Sequence, residues 1–224
     1  MNYRWWILVA ILLFGIGIAF GLATPASISS LLSNELTALE ELGGILAPFK
    51  VSTVIFIFIK NALALLFSFA LSPIFCLVPI LTLSVNGWLL ALVSSMIVEE
   101  KSLGFVLAGL LPHGIIELPA FFIGEAAALS FGAMVMILII RHGWPLLTSF
   151  IRKGGVRILL ILVLFTIVGI FPTIIILALL NEQTRLIIMD NLKQNLRYLW
   201  IALALLLPAA IIETYITPLL VLAS

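Results

Sequence analysis

His113, Glu117 and Glu125 stand in "GLLPHGIIELPAFFIGEAAAL", residues 109–129, a stretch otherwise apolar enough to lie in lipid. A second stretch, "LLPAAIIETYITP", places Glu213 in similar company. Lys60 and Asn61 interrupt the apolar run 51–71, and Asn86 interrupts 73–98. An ionisable side chain at the centre of a bilayer costs about 2.5–3.5 kcal/mol on insertion scales. Lys60, His113, Glu117, Glu125 and Glu213 facing lipid would together cost roughly 10 kcal/mol or more, which rivals the whole stability of a typical domain, about 5–15 kcal/mol. These residues are therefore expected to face one another, a cavity or the interface, as a buried polar cluster joined by Asn61 and Asn86.

Several chemistries are open to such a cluster. His113 and Glu117 are four apart and share a face if the segment is helical. With Glu213 they could hold zinc or another divalent metal, although His-x-x-x-Glu lacks the second histidine of a His-Glu-x-x-His site. A structural knot, with Lys60 paired to a glutamate, and proton or solute handling are the other readings. Asn61 and Asn86 suit hydrogen bonds between helices. Cys76 has no partner in the chain and reads as a small buried apolar residue.

The elements that position these residues follow from composition. Only 9% of the 224 residues are charged, mean hydropathy is +1.35, and soluble domains carry about 25% charge. Too little polar sequence remains for a water-facing exterior, so the chain is an integral membrane protein in contact with the lipid bilayer. Net charge is +1 with no basic run, which gives no reason to expect a nucleic-acid partner.

A spanning helix needs about 20 mostly apolar residues. Six are expected: about 5–23, 51–71, 73–98, one crossing within the piece between Ser102 and Arg141, 158–180 and 199–221. The polar stretch "NEQTRLIIMDNLKQNLRY" would connect the last two. The first span has a longer apolar stretch than a signal peptide's and reads as a retained anchor, with Arg4 holding the N-terminus in the cytoplasm. Gly15, Gly17 and Gly21 would let it pack closely. Residues 24–50 have leucines at helical spacing and Glu35, Glu40 and Glu41 on the other side, giving an extracytoplasmic amphipathic helix. Placing the acid-free loop 141–157 in the cytoplasm puts both termini there.

Ser102 to Arg141 contains no Lys, Arg or Asp between its ends, yet is too long for one crossing. Pro112 and Pro119 would break it. The expectation is a re-entrant hairpin over 102–122, turning at Pro112-His113-Gly114. Leu110-Leu111-Pro112 and Ile115-Ile116-Glu117 also recur as Leu206-Leu207-Pro208 and Ile211-Ile212-Glu213, a possible internal repeat of the kind that builds midplane sites. The fold class is thus all-α: a polytopic transmembrane helical bundle in a single domain, 1–224, with about six spans, a re-entrant broken helix pair and one amphipathic helix.

"PHGIIELPA", together with Asn61, Asn86-Gly87, "GEAAALSFG" and "AAIIETYITP", resembles the stage II sporulation protein M family over most of residues 51–220. The resemblance marks His113, Glu117 and Glu213 as a polar signature. It implies an integral membrane scaffold, non-enzymatic and homo-oligomeric, that holds membrane or extracytoplasmic protein partners. The alternative is a transporter or channel subunit with a midplane carboxylate site. A metal-dependent intramembrane enzyme is third.

Overall fold

The computed structural model describes residues 3–25, 48–74, 76–138, 141 and 182–223, apart from the side chains of Glu100, His113 and Ala223. Six helices are described: α1 (Tyr3–Leu22), α2 (Val51–Leu71), α3 (Leu77–Glu100), α4 (Leu103–Leu138), α5 (Glu182–Tyr215) and α6 (Thr217–Ala223). There is no strand among the described residues. Among the described residues, five stretches are long and apolar enough to cross a membrane: Tyr3–Leu22, Val51–Leu71, Leu77–Glu99, Gly114–Leu138 and Glu182–Leu222. The sixth expected span, 158–180, and residues 26–47 of the expected amphipathic helix lie outside the described residues.

α4 is the axis of the bundle, and its small residues explain why. Ala126, Ala127 and Ala128 are all fully buried, so neighbours approach it from several sides, as small side chains permit inside lipid. On one side Leu65 and Phe69 of α2 and Leu203 and Leu206 of α5 pack on Ala127 and Phe131. On another, Ala10 and Phe14 of α1 and Leu83 of α3 pack on Ala126 and Leu129. Two sub-bundles, α2 with α5 and α1 with α3, therefore share α4.

α1 and α3 touch backbone to backbone. A Cβ on Gly17 would lie 2.1 Å from the Ser84 carbonyl oxygen, and one on Gly87 would lie 2.2 Å from that of Phe14. Any side chain there would push the helices apart. Gly15 has no such neighbour within 4 Å and does not take the packing role expected of it. Because Gly17 lies beside Ser84 and Gly21 beside Trp88, α1 runs parallel to α3.

α4 runs parallel to α2, since Asn61 meets Glu117 and Ser68 meets Glu125. α5 runs against both: the Phe49 N–H donates to the Thr214 carbonyl, while Leu206, earlier on α5, lines one cavity with Leu65, later on α2.

Two expectations are corrected. The backbone does not turn back at Pro112–Gly114: residues 103–138 form one helix containing both Pro112 and Pro119. Each proline removes one N–H donor, but neighbouring helices can hold the rest of the ladder in place. At about 1.5 Å per residue, a helix of 36 residues exceeds the ~30 Å hydrocarbon core. The length that suggested a hairpin is taken up by one long helix. Residues 182–198 are likewise helix rather than connection. Thr184, Ile188, Asn195 and Leu199 fall on one buried face, and Ile188 joins Val135 and Leu138 in the core. The charges of this polar stretch occupy the remaining faces.

Candidate functional site

The polar side chains collect between the sub-bundles, midway along α2. Asn61 is equidistant from the two ends of Val51–Leu71, and its Nδ2 donates to Glu117 Oε1 at 2.9 Å. Both side chains are half-buried. This pair borders two cavities. The first, about 230 Å³, is also lined by Thr82, Asn86, Phe14 and Phe121. The second, about 340 Å³, is also lined by Pro48, Thr53, Lys60 and Glu213. Pro48 and Thr53 mark the start of α2, so the second cavity runs from one end of that helix to its middle. Lys60 is exposed and close enough for its ammonium group to act electrostatically on the Glu213 carboxylate.

The repeated motif acquires a spatial meaning here. Its copies lie on the antiparallel neighbours α4 and α5, and both glutamates line the second cavity. Two chain segments 96 positions apart thereby present like side chains to one space. Asn86 lines the first cavity and donates from Nδ2 to the Thr82 backbone carbonyl, 2.7 Å.

Glu125 stands apart from these residues. It is 0% exposed, and its Oε2 accepts from Ser68 Oγ at 2.6 Å. Its Oε1 has no hydrogen-bond partner among the described residues. The seven residues expected to form one cluster thus divide. Lys60, Asn61, Glu117 and Glu213 share a cavity, Asn86 lines the adjoining one, and Glu125 has a separate partner. The His113 side chain lies outside the described residues. No group of three or more His, Cys, Asp or Glu side chains able to hold a metal occurs among the described residues.

Ser68 is a polar residue that sequence reasoning missed. Its signal was spacing: Asn61 and Ser68 are seven apart on α2, Glu117 and Glu125 eight apart on α4. Two parallel helices bring such pairs together. Tyr3 was also missed; its hydroxyl donates to the Ile123 carbonyl and its ring stacks on Tyr198, centroids 3.5 Å apart. Cys76 is buried, as expected of it, and its thiol donates to the Leu129 carbonyl at 3.7 Å.

The profile of the family described as stage II sporulation protein M matches residues 10–176, well over half of the sequence. The chain belongs to the stage II sporulation protein M family. The match covers Asn61, Asn86, His113, Glu117 and Glu125, and takes in α1 from Ala10. It ends before α5, so Glu213 and "AAIIETYITP", which the sequence reading counted in the resemblance, fall outside it. No curated protein and no solved structure matches the chain. Family membership and five candidate spans make this a multi-pass membrane protein.

Proposed function

We propose that this member of the stage II sporulation protein M family moves a cationic solute through the membrane, with Glu117 as the binding carboxylate. The observation that carries this reading is the position of the Asn61–Glu117 pair, halfway along α2 and bordering two cavities whose walls are part polar, part apolar. A carboxylate at that depth is costly unless it faces partners or a wet space. The second cavity supplies such a space, and Glu213 within it adds a second acid against Lys60, the one base lining it among the described residues. Like motifs on antiparallel helices that line one space are a recurrent way to build a solute site.

Flux into liposomes reconstituted with the purified protein tests this. Rubidium, proton or alkylammonium uptake should exceed that of protein-free vesicles and fall at least tenfold in Glu117→Gln. Glu213→Gln should reduce it too. Uptake no greater than in empty vesicles, or insensitive to Glu117→Gln, overturns the reading.

Family membership favours a second reading: a scaffold, assembled as a homo-oligomer, that holds membrane or extracytoplasmic partners. It predicts that crosslinking in native membranes captures a stable partner or second copy, unchanged by Glu117→Gln. A zinc site of His113, Glu117 and Glu213 would instead declare itself as stoichiometric zinc in the purified protein, lost in His113→Ala.

A further inference from the structure

The first cavity has a lining that discriminates among cations. Glu117 is the one ionisable side chain lining it among the described residues, so the charged group this space presents to a ligand is a carboxylate. Asn61, Asn86 and Thr82 add polar groups. The remaining walls are hydrocarbon, including the rings of Phe14 and Phe121, whose centroids are 6.2 Å apart in an edge-on arrangement. A bare metal ion needs a shell of oxygen ligands, which leucine and phenyl walls do not complete. An alkylammonium ion uses both kinds of wall. Its N–H groups bond to the carboxylate, while its carbons and charge lie against apolar and aromatic surface. At about 230 Å³ the space falls below the ~300–1,000 Å³ of drug-sized pockets, which sets a small ligand.

We infer that this cavity takes a small organic ammonium ion, and that the ion binds by replacing the Asn61 carboxamide at Glu117. The inference rests on the transport reading and names its substrate class. Asn61 Nδ2 already places an N–H donor 2.9 Å from Glu117 Oε1. An ammonium donor adds the attraction of opposite charges to its hydrogen bond with the carboxylate, which a neutral amide lacks, so the ammonium group wins that position. Asn61 and Glu117 border both cavities; separating them joins the two spaces and connects the ligand to the side where Lys60 and Glu213 lie. Binding and opening are then one event.

The test is equilibrium binding of radiolabelled butylammonium to the full chain in lipid nanodiscs. Binding should be saturable and resist competition by equal concentrations of butanol or rubidium. Glu117→Gln should weaken it at least tenfold, with Glu117→Asp between that variant and the original protein. Asn61→Ala, which removes the internal competitor, should tighten binding severalfold, and Glu125→Gln should leave it unchanged. The inference is overturned by absent saturable binding, by binding indifferent to Glu117→Gln, by equal competition from rubidium, or by weaker binding in Asn61→Ala. Glu117-dependent flux of rubidium or protons without butylammonium binding would sink this ligand class and leave the transport reading standing. Butylammonium binding without flux of any cation would do the reverse.

Discussion

Glu117 borders two cavities and accepts a hydrogen bond from a carboxamide; Glu125, eight residues further along the same helix, is 0% exposed and accepts one from a serine hydroxyl. The residue type, the helix and the neighbouring helix α2 are common to both. Their surroundings differ. At Glu117 the sub-bundles diverge, and Asn86 and Glu213 approach from α3 and α5. At Glu125 the alanines that follow it let the helices close in, and the carboxyl group is sealed among them. Primary sequence marks both positions as expensive in lipid, but only packing decides which can meet a ligand. One carboxylate belongs to a cavity and the other to the core.

The largest effect expected from this contrast is on stability at Glu125. Glu125→Ala removes a fully buried side chain and strips Ser68 Oγ of its acceptor, so it should cost about 2–4 kcal/mol through lost packing and an unsatisfied hydroxyl. Glu117→Ala, at a half-buried site beside water-sized space, should cost under about 1 kcal/mol. Equilibrium unfolding in detergent micelles measures both. Equal costs would break the comparison, because Glu117 would then be as much a part of the packed core as Glu125.

The sequence carried the helices and the polar residues better than it carried their arrangement. Apolar run length located α1, α2 and α3 almost to their ends, because crossing lipid requires a fixed number of hydrophobic residues. Composition misled where helices outrun the bilayer. Pro112 suggested a turn in α4, and the charges of residues 182–198 suggested a connection, yet both stretches are helical because neighbouring helices hold one and an amphipathic face packs the other. Glu117 and Glu213 were legible as a pair through their repeated motif. The separation of Glu125 was not, since nothing in "GEAAALSFG" says which helix will press against it. Ser68 reads as any hydroxyl in a span, because only the parallel course of α2 and α4 brings it to Glu125.

A middle-sized effect is expected from the wall that only Glu117 shares. Phe14 lines its cavity, and the Phe14 carbonyl oxygen would lie 2.2 Å from a Cβ at position 87. Gly87→Ala must therefore shift α1 against α3, at a cost of about 1–3 kcal/mol for overpacking. Butylammonium binding should weaken in this variant, whereas the Ser68–Glu125 interaction, held between α2 and α4, should not change. A double-mutant cycle on Ser68 and Glu125 in the Gly87→Ala background measures the second half. Loss of that coupling would mean the sub-bundles are not independent across α4.

The smallest effect gives the sharpest comparison, because it sets the two hydrogen bonds side by side. Polar pairs between membrane helices are worth about 0.6 kcal/mol on average and up to about 1.7 kcal/mol. Ser68–Glu125 is sealed from water, and breaking it leaves a buried group with no substitute partner; its coupling should lie near the upper end, about 1.5 kcal/mol. Asn61–Glu117 borders cavities roomy enough for water, which can replace either partner, and its coupling should be about 0.5 kcal/mol. Parallel double-mutant cycles, Ser68→Ala with Glu125→Gln and Asn61→Ala with Glu117→Gln, isolate the two energies. A stronger coupling at Asn61–Glu117 would mean that this contact is a fixed strut, too costly for an incoming ammonium group to displace, and the cavities would remain separate when a cation binds.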